Sequence, residues 1–591
     1  MKVRIFIDDR NYNMWSFHEL ENNTIVSHET FPILNKIHPV ENKIFNRDIL
    51  SISEDAYEIT YSSIKTNDKI AGVLLLENNK TYGRTTHNKR LLYKCVPDDK
   101  HLPVFLVPFD VKMGFNKFQK NKFVVFKYEN WNDKHPQGTI TETIGDVDSL
   151  EAFYEYQLYC KSLHISLVDF NDKTRKVLKQ HTLEEYIEKI LENKNFQIED
   201  RRNEDVFTID PPNSVDFDDG FSISPHDAET SKVTVYIANV YFWLEILGLW
   251  KSFSKRVSTI YLPDRRRPML PTILSDNLCS LNKGVVRFAF SMELIVDNNT
   301  GAIMGDPVYK NVVIKVKNNY CYEDYGLLHN NIHYSKLFNI SQKRDKSLKT
   351  SHELVSHWMV FMNKVTGEYM AKHKNGIFRA TTFGNNLPPQ PMIEHDDSAL
   401  SKLDGETRRV IQSWNNNTGK YICYNEDQVS LEHYMMDKRY IHITSPIRRL
   451  VDLLNQMILC RNLKIVDMSQ DADEFIENWM YQMEYINTTM RSIRKIQTDC
   501  ELINRCFTDT TIINRKHLGV VFDKIVKNDG TNHYMVYLEK IKLLSRIITH
   551  LDIPVYSTCR FSVFLFEDEY KTKRKIRLQL LEELSEEMPK E

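Results

Sequence analysis

A dense cluster of carboxylates lies in the segment FTIDPPNSVDFDDGFSI, residues 207–223. Its four aspartates are Asp210, Asp216, Asp218 and Asp219. Carboxylates this close together repel one another unless cations neutralise them, and such hard oxygen ligands suit Mg²⁺, with Mn²⁺ as a second candidate. The spacing therefore predicts a divalent-metal site, and it favours phosphodiester hydrolysis by two metal ions.

Two other interpretations of this cluster compete with catalysis. Acidic clusters are often solvated loops, but the apolar strand patterns VFTI before it and VTVYIANV after it favour a place inside a folded domain. An EF-hand needs Gly at the sixth loop position and Glu at the twelfth. Counted from Asp216, these positions hold Phe221 and Asp227, so the EF-hand interpretation fails.

A second chemical motif, YIHITSPIRRLVDLL, covers residues 440–454. Pro446 suits a first helical turn with the preceding Thr-Ser pair as cap, so the pattern predicts Arg448 and Arg449 in the first turn of a helix. A helix N-terminus favours phosphate, and the arginine fork matches phosphoryl oxygens. Alone the motif is a weak signal, because both arginines could equally form surface ion pairs.

The elements that must position these motifs belong to several domains, because 591 residues are too many for one hydrophobic core. Short strand signals suggest a small antiparallel barrel on each side of a mixed α/β segment that holds the chemistry. In chain order, the predicted segments are an unassigned region 1–60, a barrel 61–150, a helical linker 151–199, the mixed α/β segment 200–510 and a second barrel 511–591.

Both predicted barrels carry basic residues. In the first, aromatic and basic residues interleave over 115–131, which is typical either of core packing or of a stacking platform for single-stranded bases. The second ends in the basic stretch KTKRKIRLQLL, which we predict to contact phosphates. Its basic side chains are Lys571, Lys573, Arg574, Lys575 and Arg577.

Composition excludes some classes of protein. The formal net charge of −2 excludes a wholly basic, histone-like binder, although a local field can still attract a polyanion. The nine cysteines contain no CxxC pair and suit a reducing compartment. No long uncharged apolar run occurs, and Asp8 and Asp9 interrupt the N-terminus before a signal-peptide core could form. We therefore expect a soluble, cytoplasmic protein with no membrane partner.

Together, the two motifs resemble the catalytic domain of the RNase II (RNB) family of 3′→5′ exoribonucleases. The family's T-I-D start followed by D-x-D-D matches residues 208–219, and its H-x-T-S-P-I-R-R with D-L-L matches residues 442–454. Between them, residues 258–291 resemble the family's Y-L-P, P-M-L-P and L-C-S-L segments. The resemblance implies an α+β multidomain fold, in which cold-shock (OB-like) and S1-like barrels flank the mixed α/β RNB domain.

The resemblance also implies a role for each matched residue. Asp218 matches an aspartate needed for catalysis, and Arg448 the arginine that supports the scissile phosphate. The residues implied to bind metal are Asp210, Asp216 and Asp219, and those expected to contact RNA are Tyr261, Tyr322, Arg449, Lys571, Lys573, Arg574 and Lys575.

The function implied by the resemblance is a Mg²⁺-dependent hydrolytic exoribonuclease. It would degrade single-stranded RNA from the 3′ end to nucleoside 5′-monophosphates, and it could act as a monomer. The alternative is a catalytically silent RNA-binding protein that retains the RNB fold. One departure from the family pattern is Asn239, in YIAN where the family usually has H-I-A-D. No segment resembling the family's endonuclease module precedes the first barrel.

The placement of Tyr261 can also be predicted from its neighbours. In Thr259-Ile260-Tyr261-Leu262-Pro263, a strand would turn Ile260 and Leu262 to one side and Tyr261 to the other. This alternation favours a Tyr261 that holds the terminal base of the substrate. The alternative is a tyrosine packed between elements, with its hydroxyl bonded inside the protein.

Overall fold

A computed structural model describes residues 1–86, 89–110, 119–380, 400, 402–416, 419–424, 432–433, 438–513, 515–527 and 529–583. Residues 115–118 of the interleaved aromatic and basic stretch lie outside these ranges. The chain forms two compact units. Unit 1 comprises Met1–His164, Leu262–Asp264 and Arg494–Glu591, and unit 2 comprises Ile165–Tyr261 and Arg265–Ile493.

Unit 1 begins with a four-stranded antiparallel sheet in the region that the sequence left unassigned. Its strands are β1 (Lys2–Ile7), β2 (Trp15–Glu19), β3 (Ile49–Ile52) and β4 (Tyr57–Tyr61), in the order β2-β1-β3-β4. Alternate β1 residues Val3, Ile5 and Ile7 are buried. This face of the sheet packs into one core with the barrel that follows.

The barrel is closed and has five strands, as an OB-like fold requires. Its strands are β5 (Ile70–Leu74), β6 (Leu92–Pro97), β7 (Phe105–Pro108), β8 (Lys122–Asn130) and β9 (Gln137–Asp146), in the cyclic order β5-β6-β7-β9-β8. All its neighbours run antiparallel except β7 and β9. Phe45 joins sheet and barrel, because its ring stacks on Phe105 at 5.9 Å and lies 4.8 Å from Trp131.

Unit 2 is built on a mixed seven-stranded sheet in the order β10-β17-β16-β13-β12-β11-β18. In chain order, the strands of this unit are β10 (Ile198–Asp200), β11 (Phe207–Asp210), β12 (Asp219–Pro225), β13 (Thr230–Ala238), β14 (Ile260–Tyr261), β15 (Arg266–Arg267), β16 (Val286–Asp297), β17 (Ile303–Lys315), β18 (Asn318–Cys321), β19 (Ile377–Ala380), β20 (Lys420–Cys423), β21 (Glu432–His433) and β22 (Lys438–Arg439). The strands outside the large sheet form the pairs β14-β15, β19-β20 and β21-β22.

The C-terminal strands return to unit 1 and form a five-stranded antiparallel sheet. They are β23 (Lys516–Val526), β24 (Asn532–Leu538), β25 (Leu543–Thr549), β26 (Thr558–Glu567) and β27 (Arg574–Glu583), in the order β25-β24-β23-β26-β27. This order equals that of the OB-like barrel opened between its third and fifth strands. The mixed α/β segment and the flanking β domains confirm the predicted fold class.

The described helices complete the two units. The α-helices are Ser63–Thr66, Leu150–Cys160, Val168–Leu178, Leu183–Leu191, Val240–Ile246, Ile332–Arg344, Ser351–Lys372, Gly405–Asn416, Leu450–Asn462, Gln470–Tyr481 and Met483–Thr508. A capping box of Thr182 and Glu185 starts Leu183–Leu191, where each residue's side chain accepts from the other's backbone N–H. No helix within the described ranges has the length and apolarity needed to cross a membrane.

Candidate active site

The aspartate cluster lies where two neighbouring strands of the large sheet meet a loop. Asp210 is the last residue of β11, and Asp219 is the first residue of the antiparallel β12. The loop between them contains Pro211 and Pro212, which cannot donate ladder hydrogen bonds. The backbone carbonyl of Asp218 accepts a hydrogen bond from Ala238 N at 2.8 Å, which ties the end of this loop to β13.

Asp218 joins the two chemical motifs. Its side chain is 2% exposed, and its Oδ1 accepts a hydrogen bond from the backbone N–H of Ile447 at 2.9 Å. Its Oδ2 lies 3.2 Å from Nε of Arg448. The contact between Asp218 and Ile447 spans 229 residues of sequence. The fold therefore brings the D-x-D-D motif and the arginine motif into one site.

The arginine motif does not start a helix at the predicted place. The helix Leu450–Asn462 begins after both arginines, and Arg449 is its N-cap residue in an extended conformation. The reason is a strand-like pairing: Thr259 N donates to Arg448 O at 2.9 Å, and Ser258 forms a β-bridge with Arg449. The prediction that Arg448 and Arg449 occupy the first helical turn is therefore wrong.

The two arginines have different surroundings. Arg448 keeps 45% of its side chain exposed, and its Nη2 donates to Oγ of Ser445 at 3.0 Å. Arg449 forms an ion pair of 2.8 Å with the fully buried Asp452, which also accepts from Ser445 N. Arg448 is thus the arginine presented to solvent next to the carboxylates. Arg449 fixes the turn, and an RNA contact by Arg449 stays a prediction.

A serine that sequence reasoning did not single out supports the aspartate loop. Oγ of Ser280 accepts from Phe217 N and donates to Val215 O, both at 2.9 Å. Leu281 N also donates to Phe217 O at 3.0 Å. Ser280 lies in the L-C-S-L segment, so the only sequence signal for this support was the family resemblance of that block.

Asp216 contacts a cation and a hydroxyl, and its charge also acts on Asp218. Its Oδ1 lies 3.2 Å from Nη1 of Arg266, and its Oδ2 accepts a hydrogen bond from the Tyr261 hydroxyl at 3.3 Å. The structure therefore pairs Asp216 with a cation and a hydroxyl inside the protein. Its predicted role as a metal ligand remains a prediction.

Tyr261 lies beside the site with its ring accessible. Its residue is 42% exposed, whereas Ile260 is 2% and Leu262 is 7% exposed. The predicted alternation is therefore confirmed. Burial of its hydroxyl, reinforced by the negative charge of Asp216, raises the pKa of Tyr261 to about 12. The hydroxyl at its tip donates to Asp216, and the ring is not packed in the core.

Tyr322 borders the other side of the cluster. It follows β18, the parallel neighbour of β11, and its backbone N–H donates to the carbonyl of Asp210 at 3.1 Å. Its ring centre lies 4.9 Å from that of His352. Burial and the charges of Asp219 and Asp210 raise the pKa of the Tyr322 hydroxyl.

Burial dominates the electrostatics of the three clustered carboxylates. It raises the pKa of Asp210 to about 8, with the charges of Asp219 and Asp218 adding to the effect. It also raises the pKa of Asp218 to about 8 and that of Asp219 to about 6, although Arg448 opposes the rise in both. One arginine therefore does not provide enough positive charge to keep all three groups ionised at neutral pH.

The carboxylate oxygens fit a hard divalent cation. In the described part of the chain, Oδ2 of Asp210 and Oδ2 of Asp219 are buried without a hydrogen-bond partner, and Oδ2 of Asp218 makes only the ion pair with Arg448. Such oxygens need a cation or a proton. Within the described ranges, however, no three His, Cys, Asp or Glu side chains are already arranged to hold a metal ion. Cation binding thus calls for a local adjustment of these side chains.

The departure at Asn239 has a structural explanation. Its side chain accepts from Phe242 N as the N-cap of the helix Val240–Ile246, and its Nδ2 donates to Oδ1 of Asn311 at 3.1 Å. Asn239 is 1% exposed. A buried amide that both caps and donates matches this environment, whereas an ionised carboxylate could not donate to Asn311.

The C-terminal basic stretch belongs to unit 1, and its members differ in exposure. Lys571 forms an ion pair with Asp148 at 2.7 Å, Lys573 is half-buried and Lys575 is exposed. Arg574 is 5% exposed, and its guanidinium lies 5.6 Å from the Phe153 ring and 5.3 Å from the Phe507 ring. Arg574 therefore connects elements of unit 1, and it could contact RNA only by leaving this site.

The raised carboxyl pKa values make a prediction about stability. In EDTA, Asp210 and Asp218 keep their protons to a higher pH in the folded chain, where their pKa is about 8, than in the unfolded chain, where it is about 3.9. Their contribution to folding stability is therefore complete below a pH of about 3.9 and is lost as pH rises through about 8. We expect the melting temperature in EDTA to fall between pH 6.5 and pH 8.5. Mg²⁺ should restore most of the loss at pH 8.5 and less at pH 6.5, where protons compete.

Two variants serve as controls for that measurement. Asp218→Asn removes one buried titrating group and should show a smaller fall with pH and a smaller Mg²⁺ effect. Asp205→Asn removes a carboxylate with 58% of its side chain exposed, and it should behave as the wild type does. An equal response of wild type and Asp218→Asn would contradict the assignment of the cation site to this cluster.

Comparison with known proteins agrees with the motifs. The family model described as the RNB domain matches residues 198–336 and 327–465. DIS3-like exonuclease 2 of Schizosaccharomyces pombe is 24% identical over 463 residues, which cover 61% of this chain and 49% of that protein. Ribonuclease R of Aquifex aeolicus is 29% identical over 237 residues, covering 38% of this chain and 32% of that protein. The chain thus carries an RNB domain, and it matches half or less of the length of these relatives.

Other similar proteins have names that indicate loss of activity. A protein of Arabidopsis thaliana named inactive exonuclease DIS3L2 is 30% identical over 210 residues, 34% of this chain and 19% of that protein. Among solved structures, Mycoplasma genitalium RNase R with ribose-methylated single-stranded RNA matches with a TM-score of 0.65 and 16% identity over 98% of this chain and 100% of that chain. Yeast Ssd1, a pseudonuclease, matches with a TM-score of 0.51 and 14% identity, over 87% of this chain and 69% of that chain. At these identities the two structures show the fold alone.

Proposed function

We propose that the chain is a Mg²⁺-dependent hydrolytic exoribonuclease that shortens single-stranded RNA from its 3′ end and releases nucleoside 5′-monophosphates by a two-metal mechanism. The observation that carries the proposal is the contact of buried Asp218 with Ile447 and Arg448, inside an RNB domain. It holds an exposed guanidinium beside three buried carboxylates. We further propose that the chain acts as a monomer in the cytoplasm.

Arg448 is pre-organised to hold a phosphoryl group. Its Nε is oriented by Asp218 and its Nη2 by Ser445, so that the guanidinium does not have to be immobilised when substrate arrives. A fixed donor near a developing negative charge contributes more than a mobile one, because it needs no reorganisation during the reaction. In the proposed mechanism, Arg448 binds the scissile phosphate through its exposed N–H groups.

Asp210 and Asp219 would hold the divalent cations through Oδ2 atoms that are buried without a hydrogen-bond partner in the described ranges, and Asp218 through the Oδ2 that also faces Arg448. Bound in this way, the cations would supply an activated water and charge neutralisation at the leaving oxygen. Asp218 also keeps Arg448 in place. Its carboxylate would therefore help to hold a cation and would orient the arginine that binds the phosphate. Raised carboxyl pKa values mean that these groups must lose protons before a cation can bind.

The accessible ring of Tyr261 and the ring of Tyr322, which borders the carboxylate cluster, suit the end of an RNA strand. Base stacking on an aromatic ring tolerates any base sequence, as a nuclease without sequence preference requires. Asp216 orients Tyr261 through its hydroxyl, so that the ring face stays available. In the proposed function, these tyrosines place the last nucleotide so that its phosphodiester meets Arg448 and the carboxylates.

A catalytically silent RNA-binding protein is the second candidate, and the relative named inactive exonuclease DIS3L2 supports it. The buried carboxylates argue for activity. Burying three such groups destabilises a fold unless cations or protons compensate. A chain that only binds RNA gains nothing from that cost, whereas a metal-dependent hydrolase needs it.

The proposed function is tested by Asp218→Asn. The amide oxygen of Asn can still accept from Ile447 N, so we expect a folded protein whose RNA affinity is nearly unchanged. Turnover should fall at least about a thousandfold, or about 4 kcal/mol of transition-state stabilisation. The measurement follows 5′-labelled RNA and DNA oligomers over time in Mg²⁺ or EDTA, beside a binding titration in EDTA.

Asp205→Asn is the matched control, and it should produce the same descending RNA ladder as the wild type. Cleavage by Asp218→Asn at the wild-type rate would reject the assignment of this residue. A wild-type chain that binds RNA without shortening it would favour the silent RNA-binding protein. Equal shortening of DNA would reject the RNA specificity.

Tyr261→Ala tests whether this ring holds the terminal base. Because Tyr261 is accessible, we expect a nearly unchanged melting temperature and a loss of about 1–3 kcal/mol of RNA binding. The final fragment of the ladder should lengthen. Tyr261→Phe keeps the ring and removes the hydroxyl that donates to Asp216, so its end product should match the wild type. A large fall in melting temperature with an unchanged end product would show a structural role.

The half-buried Lys573 and the exposed Lys575 of the basic stretch make a further prediction. The variant Lys573→Gln/Lys575→Gln should bind RNA more weakly, and the slope of log affinity against log salt should fall by about 1.4 if both contact phosphate. Substitution is preferred to deletion of the domain, since Arg574 packs on Phe153. Lys516→Gln/Lys540→Gln removes two other exposed charges of this domain. Equal slopes for the two variants would count against an RNA contact here.

A further inference from the structure

A pocket opens on the outer face of the N-terminal sheet, far in sequence from the catalytic motifs. It encloses about 600 Å³, which is within the range of sites for small ligands. Side chains from β1, β3 and β4 line it, together with Arg47 just before β3. The lining residues that matter here are Arg4, Phe6, Arg47, Ile49 and Tyr61.

Strand register explains why these side chains meet. On β1, Arg4 pairs with His18 of β2 and with Ile49 of β3, and Ile49 pairs with Tyr61 of β4. Directly paired residues share a face of a sheet, so this row crosses all four strands. The opposite face carries the buried residues, such as Val3, that form the core with the barrel. The pocket is therefore held on a rigid, packed element.

The pocket is positively charged. Within the described part of the chain, the side chains of Arg4 and Arg47 make neither an ion pair nor a hydrogen bond, and the lining includes no Asp or Glu. Arg47 has a left-handed backbone with φ of 68°, fixed by donation of its N–H to Ile5 O at 2.8 Å. Such a conformation costs of order 1 kcal/mol or more in a non-glycine residue, and it is typical of ligand sites.

Aromatic rings border the two arginines. Tyr61 is 51% exposed, and the half-buried Phe6 packs its ring against His18 with centres 4.6 Å apart. Ile49 lies between Arg4 and Tyr61 in the row. Guanidinium groups match phosphate oxygens, and the rings and the isoleucine match the flat, apolar surface of a base. An acidic peptide would satisfy the arginines but would give the rings no flat partner.

We propose that this pocket binds a nucleoside phosphate, with the phosphate on Arg4 and Arg47 and the base against Tyr61 and Phe6. The ligand is either one nucleotide of an RNA strand or a free nucleoside monophosphate. The choice of RNA as the strand rests on the proposed function. The pocket belongs to unit 1, whereas the aspartate and arginine motifs belong to unit 2. Binding to the pocket can therefore be measured in EDTA, without turnover.

The test uses the full chain in EDTA. Binding of UMP and of a single-stranded RNA oligomer is measured by calorimetry and by fluorescence anisotropy, for wild type and for Arg4→Gln/Arg47→Gln. Lys36→Gln/Lys69→Gln is the control, because it removes two exposed charges of the same region outside the pocket. RNA with 4-thiouridine, photo-crosslinked and digested, reports which peptides contact bases. Tyr61→Ala serves as a second variant with both arginines intact.

We expect the arginine variant to weaken the binding of the strand about tenfold or more, and to lower its salt slope by about 0.7 because both arginines contact one phosphate, while the control changes neither quantity as much. Crosslinks should fall on Phe6 or Tyr61. Loss of UMP binding with unchanged strand affinity would assign the pocket to the free nucleotide. Unchanged binding of both ligands by the two pocket variants would overturn the proposal, as would oligoglutamate displacing the ligand as well as RNA does. Absence of RNA cleavage would affect only the proposed function.

Discussion

The ion pair between Asp218 and Arg448 is the interaction on which the site depends. It connects the loop before β12 with the segment before the helix Leu450–Asn462, and the backbone N–H of Ile447 reinforces it. Because Asp218 is buried, the pair is held in a low-dielectric environment where removal of one partner leaves an uncompensated charge. The same contact therefore defines the geometry of the site and links the two motifs of the RNB domain.

Unlike Asp218, Asp210 and Asp219 require a positive charge from outside the protein. Asp210 and Asp219 each bury an oxygen that has no hydrogen-bond partner among the described residues, and burial raises the cost of ionising both groups. A divalent cation removes that cost and is also what phosphodiester hydrolysis needs. The same carboxylate oxygens thus destabilise the fold and make catalysis possible. Such locally unfavourable burial is common at functional sites. Asp216 instead forms an ion pair with Arg266.

The sequence was informative where the signals are local. Alternation around Tyr261, the presence of a small barrel before the mixed α/β segment and the motif-bearing aspartates could all be predicted. Long-range pairing was not visible: Ser258 forms a β-bridge with the extended Arg449, and Phe153 and Phe507 enclose Arg574. The N-terminal sheet stayed unassigned because its core is shared with the barrel, so neither part shows a complete pattern alone.

The central claim is that buried carboxylates and Arg448 together hydrolyse RNA from its 3′ end. The most direct measurement follows an RNA oligomer labelled on its 3′-terminal nucleotide, incubated with the full chain in Mg²⁺ and in EDTA. The account predicts that in Mg²⁺ the label leaves at the first time points as a nucleoside 5′-monophosphate, and that in EDTA it stays on intact RNA. Label retained on full-length RNA in Mg²⁺, or released first within longer fragments, would contradict it.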